Sequence, residues 1–179
     1  MSVRVGILST ARINRLVIAP ARESDKVDVT AVASRDLPRA EAYAREWGIE
    51  RAHGSYEELL ADPEIDAIYN PLPNGLHGEW TIAALEAGKH VLCEKPFTSN
   101  AEEARQVKAV ADAHPDLVVM EAFHYRYHPF AERLPGKPQE APLRRHLHHP
   151  VLIHLHAAQE PQPPGRAPPS PSSGRSSSG

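Results

Sequence analysis

The stretch Val3-Arg-Val-Gly-Ile-Leu8 is an apolar run of strand length, and small residues, Ser9-Thr10-Ala11, follow it at once. A helical pattern begins at Arg12 and continues to about Arg22, with apolar side chains at helical spacing. A run that is apolar on nearly every position suits a strand buried on both faces of a parallel sheet. The stretch therefore predicts the first strand–turn–helix unit of an α/β fold.

The same alternation continues along the chain. Further strands are expected at residues 27–34, 66–70, 90–94 and 117–122. A helix is expected to begin near Leu37-Pro38 and to stop at Gly48. Two more are expected to begin at the capping-box patterns Ser55-Tyr-Glu-Glu58 and Ser99-Asn-Ala-Glu102, and another at Asn74. Strands that alternate with helices predict a doubly wound parallel sheet, the Rossmann arrangement, over residues 1–134.

Composition excludes several classes of function. The chain has 179 residues and a formal net charge of −3, so no basic field points to nucleic acid. Its apolar runs are far shorter than the roughly 20 residues of a membrane helix, and its start lacks a signal-peptide pattern. The single cysteine, Cys93, lies inside an expected strand. These features predict a cytoplasmic protein.

The turn after the first strand is where such folds bind phosphate. A dinucleotide fingerprint places Gly-x-Gly-x-x-Gly there, whereas this chain has Ser9, Ala11 and Asn14 at those positions, and Gly6 lies earlier, inside the strand. Ser9 and Ala11 are small enough for a pyrophosphate to approach the backbone. An ordinary tight strand-to-helix turn is the alternative.

The end of the second strand carries Ser34-Arg35, at the position where an acidic residue would bind the 2′-hydroxyl of NAD. A hydroxyl and a guanidinium suit a 2′-phosphate instead, which favours NADP over NAD. The alternative is a solvated loop charge, and Asp36 lies next to it.

The stretch His90-Val-Leu-Cys-Glu-Lys-Pro96 is an apolar strand that delivers Glu94 and Lys95 to the carboxyl edge of the sheet, where ligands bind. Lys95 beside a carboxylate is suited to proton transfer, or the two form a surface ion pair. The segment Asn70-Pro-Leu-Pro-Asn-Gly-Leu-His77 is a rigid loop at the same edge, suited to lie against a flat ring.

Taken in order, these motifs resemble the N-terminal half of the Gfo/Idh/MocA oxidoreductases. The resemblance is carried by Gly6–Ile13, Ala33–Asp36, Ser55–Leu60, Asp66–His77, Ala87–Pro96 and Met120–Phe123, and it covers residues 3–134. It implies a Rossmann domain that binds NADP, with NAD as the alternative, through the following residues: Gly6, Ser9, Thr10, Ala11, Arg12, Ile13, Ser34, Arg35, Pro71, Asn74, His77, Glu94, Lys95 and Pro96.

In the family, the lysine that matches Lys95 lies near the nicotinamide and the substrate carbon. The resemblance therefore implies that Lys95 steers or protonates the reacting oxygen and that Glu94 holds it in place. It also implies a small-molecule substrate, a sugar or a diol, and a homo-oligomer. No metal is expected.

Family members continue into a second α/β domain, which completes the substrate site. Here the composition changes at Pro135, and residues 135–179 are rich in Pro, His, Arg and Ser. Such a tail is expected to be disordered. An out-of-frame reading of a GC-rich gene would produce this switch, so we expect a frameshifted or truncated product, which resequencing the locus tests. Histidines at 146–149 and 154–156 are interpreted as compositional bias, with a transition-metal site as the alternative.

Three hypotheses follow for the function. The first is an NADP-dependent oxidoreductase, the second is a Rossmann module that binds the nucleotide without turnover, and the third is a non-catalytic protein that binds a partner through its tail.

Overall fold

The structure is a computed structural model that describes residues 2–127. Among these residues, six parallel strands form one sheet in the order β3-β2-β1-β4-β5-β6. The strands are β1 (Val3–Leu8), β2 (Val27–Ala33), β3 (Arg51–His53), β4 (Ala67–Asn70), β5 (His90–Cys93) and β6 (Val119–Glu121). This is the strand order of a doubly wound dinucleotide-binding sheet, so the predicted fold class is confirmed.

Five α-helices connect the strands within the described range. They are α1 (Arg15–Ala21), α2 (Leu37–Trp47), α3 (Tyr56–Ala61), α4 (His77–Glu86) and α5 (Ala101–Ala113). Short 3-10 turns occupy Arg12–Asn14, Asn74–Leu76 and His124–Tyr127.

Two apolar clusters lie on opposite faces of the sheet. One contains side chains from α1 and α2, and the other contains side chains from α3, α4 and the flank of α5. Neighbouring residues of β1 divide between them: Ile7 belongs to the first cluster and Leu8 to the second, and both are fully buried. This double burial is the reason that β1 is apolar on almost every position.

The predicted helix ends are partly confirmed. Gly48 ends α2 at φ +58°, a left-handed conformation that glycine adopts without penalty, and Pro38 lies in the first turn of the same helix. Ser55 Oγ accepts from the Glu58 backbone N–H at 3.1 Å, as predicted. The Glu58 carboxylate, however, accepts from the N–H of Gly54 at 2.9 Å rather than from that of Ser55.

Two predicted helix caps are wrong. The side chain that caps α5 is Asn100, whose Oδ1 accepts from the Glu103 N–H at 2.9 Å, so the box lies one residue later than predicted. The Ser99 hydroxyl donates to the carbonyl of Asn74 at 3.1 Å instead of capping. The Asn74 side chain makes no cap either, because Asn74 begins a 3-10 turn and α4 begins only at His77.

The strand β3 was not predicted. Its three residues include two polar side chains, Arg51 and His53, and therefore lack a strand pattern. Parallel pairing with β2 and an ion pair of 2.9 Å from Arg51 to Asp62 hold it in place. The strand predicted at 117–122 is shorter, Val119–Glu121.

No helix within residues 2–127 has both the length and the apolar character needed to span a membrane. The predicted tail, residues 135–179, lies outside the described residues.

Candidate functional site

The strand order reverses beside β1, since β2 continues the sheet on one side and β4 on the other. The loops after β1 and β4 therefore lead to helices on opposite faces and leave a crevice at the carboxyl edge. The predicted cofactor-binding residues lie in β1, in the loops and 3-10 turns that follow β1, β2, β4 and β5, and, for His77, at the start of α4.

The turn after β1 has the shape that a dinucleotide fingerprint requires. Ser9 has φ +78°, the left-handed conformation for which the fingerprint uses glycine. No acceptor within the described part of the chain pairs with the N–H groups of Thr10 or Ala11. Asn14 is fully buried and closes the turn by donating from Nδ2 to the Ser9 carbonyl at 2.9 Å. The turn thus presents free backbone donors to the crevice, as an anion site needs.

The remaining positions of this turn differ in exposure. Arg12 is exposed and Ile13 is half-buried, both in the 3-10 turn before α1. Gly6 is buried within β1, where an added Cβ would lie 2.9 Å from Leu59 Cδ1. Glycine at this position lets α3 pack closely against the sheet.

The end of β2 gathers positive charge. Ser34 is buried and Arg35 is exposed. Arg39 Nε, from the first turns of α2, donates to Thr10 Oγ1 at 2.8 Å and so joins the two loops. Burial raises the pKa of Tyr56, and the positive charges of Arg35 and Arg39 oppose this shift. Sequence reasoning missed Arg39, although its place in the first turn of the helix that follows Arg35 was the available signal.

The loop after β4 is buried at its start. Pro71 is buried and Asn74 is exposed. His77 is 1 % exposed, and both of its ring nitrogens lie 2.6 Å from backbone carbonyl oxygens. Those carbonyls belong to Leu72 and to Pro96, so the ring joins the loops after β4 and β5.

The loop after β5 places Glu94 and Lys95 in different environments. Glu94 is buried, and its carboxylate accepts from the Tyr69 hydroxyl at 2.9 Å and from the backbone N–H of Lys95 at 3.1 Å. Lys95 is exposed, and its ammonium has no partner among the described residues. Pro96, also exposed, follows a cis peptide bond. The contact between Glu94 and Lys95 therefore runs through the main chain, which leaves the ammonium free for a ligand.

Two neighbours of Glu94 were not foreseen from the sequence. Burial, together with the Glu94 charge, raises the pKa of the Tyr69 hydroxyl, so Tyr69 stays a hydrogen-bond donor to Glu94. His124 Nε2 lies 3.6 Å from the same carboxylate. Neither residue carries a local sequence signal, because a tyrosine inside a strand and a histidine after one are ordinary at those positions.

Cys93 is not equipped to act as a nucleophile. It is fully buried beneath the loop, and burial raises the pKa of its thiol to about 12, so the reactive thiolate does not form near neutral pH. Within residues 2–127, no group of three or more His, Cys, Asp or Glu side chains is arranged to hold a metal ion. The histidines of the tail lie outside the described residues.

The geometry agrees with the comparison to protein families. Residues 3–122 match the Gfo/Idh/MocA model, described as an oxidoreductase family with an NAD-binding Rossmann fold. The chain belongs to the Gfo/Idh/MocA oxidoreductase family. The resemblance deduced from the motifs is thereby confirmed.

Several characterised Gfo/Idh/MocA proteins are similar to this chain. D-xylose 1-dehydrogenase (NADP(+)) 2 of Haloferax volcanii is 52 % identical over 130 residues, which are 72 % of this chain and 39 % of the relative. Trans-1,2-dihydrobenzene-1,2-diol dehydrogenase of Xenopus laevis is 39 % identical over 136 residues, which are 75 % of this chain and 41 % of the relative.

A solved structure of the family has the same fold. It is the 3-ketoreductase KijD10 of Actinomadura kijaniata in complex with TDP-benzene and NADP, with a TM-score of 0.68 and 38 % sequence identity over 74 % of this chain and 42 % of that one. The chain thus spans about two fifths of the length of these Gfo/Idh/MocA relatives.

Proposed function

We propose that this chain binds NADP(H) in the crevice at the carboxyl edge of β1 and β4. The observation that carries the proposal is the turn after β1, where Ser9 has φ +78° and the N–H groups of Thr10 and Ala11 have no partner within residues 2–127. These donors would hold the pyrophosphate, with Arg12 and Ile13 beside them at the start of the helical segment.

A preference for NADP over NAD is supported by the charge at the end of β2. NAD-binding sheets place a carboxylate at the end of this strand, and this chain has Ser34 and Arg35 there. Arg35 would bind the 2′-phosphate, and Arg39, which is tied to Thr10, stands where a second guanidinium can join it. The names of the xylose dehydrogenase relative and of the KijD10 complex both include NADP.

The proposed reaction interconverts a hydroxyl and a carbonyl on a sugar or a small diol, the chemistry that the names of the relatives suggest. When bound, NADP(H) supplies or accepts the hydride. The exposed Lys95 would orient the reacting oxygen and hold a proton at it. Glu94 would keep the Lys95 main chain in place through its contact with the Lys95 N–H. Pro71, Asn74 and Pro96 would line the crevice on the same side.

Calorimetric titration of the purified chain with NADPH and with NADH tests the cofactor. We expect saturable binding of NADPH that is at least about tenfold tighter than that of NADH, since one charge-assisted site for the 2′-phosphate is sufficient for that ratio. Binding of neither nucleotide would contradict the proposal. Equal binding of both would retain the Rossmann function and remove the NADP preference.

A second candidate is a module that binds NADP(H) without turnover. This candidate is favoured by the part of each relative that the chain matches, which is about two fifths of the relative's length. Assays of NADPH oxidation and NADP reduction with a panel of aldoses, ketoses and diols distinguish the two. Loss of turnover in Lys95→Met with unchanged NADPH binding would support the oxidoreductase, whereas no turnover in the wild-type chain would favour the module.

The division into a cofactor domain, 1–134, and a separate tail, 135–179, remains a proposal. Limited proteolysis in the presence of NADPH tests it: we expect a protected fragment that ends near residue 134, and protection that extends through the tail would contradict it.

A further inference from the structure

His77 is the first residue of α4 and is buried at the carboxyl edge of the sheet. Its ring bridges two loops, because Nδ1 lies 2.6 Å from the carbonyl oxygen of Pro96 and Nε2 lies 2.6 Å from that of Leu72. At 1 % exposure the ring has almost no surface left for a ligand. Its contacts therefore act on the loops themselves.

A second buried side chain fixes the main chain around His77. Asn70, at the end of β4, is fully buried, and its Nδ2 donates to the carbonyl of His77 at 3.1 Å and to Thr81 Oγ1 at 3.3 Å. Its Oδ1 accepts from the N–H of Leu72 at 3.3 Å. The backbone of α4 and the start of the loop are thus held together, and the imidazole extends this connection to Pro96.

We propose that His77 is a positioning residue that sets the separation of the loops after β4 and β5, and through Pro96 the placement of Lys95. The inference rests on the proposed NADP(H) site. In that site the adenine half lies at the end of β2, beside Arg35, so the nicotinamide half lies across β1, between the loops that His77 joins.

A change at His77 should affect contacts to the two halves of the cofactor differently. Replacing the imidazole removes the side chain that contacts the carbonyls of Leu72 and Pro96. At least one of these carbonyls then loses its N–H donor, and an unpaired buried carbonyl is destabilising. The loops would then move relative to each other and weaken contacts to the nicotinamide half. Contacts to the adenine half at Ser34 and Arg35 lie on the other side of β1 and would not change.

The test compares NADPH with adenosine 2′,5′-bisphosphate, which contains only the adenine half, by calorimetry on the full chain. In His77→Phe we expect the ratio of the NADPH dissociation constant to that of the bisphosphate to rise about tenfold, and His77→Gln, which keeps polar groups, to recover part of the loss. His114→Gln is the matched control: His114 Nδ1 also lies near a carbonyl, that of Val110, at 2.9 Å, but at the opposite edge of the sheet. Its ratio should not change.

Equal weakening of both ligands, or no weakening of either, would overturn the role of His77. Imidazole NMR signals of the wild-type chain give an independent measurement if the variants do not fold. The His77 signals should shift on addition of NADPH and stay in place with the bisphosphate, and a shift of equal size with both would overturn the proposal. A wild-type chain that binds neither ligand would instead reject the cofactor site and this inference with it.

Discussion

Ser9 holds a backbone conformation that glycine adopts more readily than any residue with a Cβ. Its φ of +78° places it in the left-handed region, which costs an L-residue about 1–2 kcal/mol. Position 9 is also where the fingerprint requires its first glycine. The chain therefore keeps the shape of the phosphate-binding turn without the residue that usually provides it.

Two substitutions test this conformation. We expect Ser9→Gly to leave the free energy of unfolding within about 1 kcal/mol of wild type, because relief of the unfavourable φ is offset by greater freedom in the unfolded chain. Ser9→Val should destabilise by about 1–2 kcal/mol, since a β-branched residue is least tolerant of positive φ. Urea denaturation measures both, with Ser9→Ala as the control for loss of the hydroxyl. A valine variant as stable as the alanine variant would contradict the argument.

Arg39 provides the second residue-scale prediction. Arg39→Ala should weaken the binding of NADPH about fivefold to tenfold and leave the binding of NADH within about twofold of wild type. The reason is that the Arg39 guanidinium would contact only the 2′-phosphate, which NADH lacks. Arg45→Ala is the matched control on the same helix; Arg45 is exposed and lies 3.8 Å from Glu41. Equal losses for both nucleotides would instead indicate that Arg39 acts only by supporting the turn through Thr10.

At the scale of elements, α4 and α5 are joined by contacts that replace the predicted caps. Asn100 caps α5, and the Glu103 carboxylate accepts from the N–H of Ser99 at 2.6 Å. The same Glu103 side chain lies against Gly78 of α4, where an added Cβ would be 2.3 Å from Glu103 Cγ. One glutamate therefore both closes the cap and fills the space between the helices.

Removing the cap should destabilise the protein measurably. We expect Asn100→Ala to lower the free energy of unfolding by about 1 kcal/mol, the usual effect of losing a side-chain cap. Asn74→Ala is the matched control, because Asn74 is exposed and its side chain caps no helix. The control should stay within about 0.5 kcal/mol of wild type in urea denaturation. A loss of equal size at both positions would contradict the assignment of the cap to Asn100.

The close approach of the two helices gives a coupled prediction. Gly78→Ala should destabilise despite the better helix propensity of alanine, since the methyl group overlaps Glu103. In the Glu103→Ala background the same change should stabilise by up to about 1 kcal/mol, because the obstacle is gone. A double-mutant cycle in urea measures the difference. An effect of Gly78→Ala that does not depend on residue 103 would show that the contact is unimportant.

At the scale of the whole molecule, the amino edge of the sheet is held by charge. Arg4 of β1 forms an ion pair with Asp66, which precedes β4, with Arg4 Nη2 2.8 Å from Asp66 Oδ1. This hydrogen bond from Arg4 is the largest cause that lowers the pKa of Asp66 below its ordinary value of 3.8. A carboxyl with a lowered folded-state pKa contributes stability above the unfolded value and loses it as pH falls.

We therefore expect Asp66→Asn to be destabilised relative to wild type at pH 7, and the difference to shrink as pH falls from about 4 towards the lower folded pKa. Urea denaturation at a series of pH values measures this. Asp25→Asn, which removes an exposed carboxylate from the loop before β2, is the control for the change in net charge. A difference that is constant across the series would contradict a role for the Arg4–Asp66 pair.

How far the sequence predicted the molecule depended on the range of the interactions. The buried strands could be recognised because runs such as β1 are apolar on both faces. The family could be recognised because the motifs at the carboxyl edge follow one another along the chain in the family's order. The strand β3 could not be recognised, because it forms through pairing with β2 and two of its three side chains are polar. The contacts of Arg39, Tyr69 and His77 likewise join residues that are distant in sequence or belong to different loops, which no local pattern specifies.

The two outermost strands of the described sheet have a consequence for misassembly. Both β3 and β6 contain only three residues, so each offers a neighbouring chain a short row of unpaired backbone groups. Long, flat outer strands are the usual templates for aggregation, whereas short ones offer an incoming strand few backbone hydrogen bonds. The longest strands, β1 and β2, lie inside the sheet. The order of the strands thus places the two longest rows of backbone groups where another chain cannot pair with them.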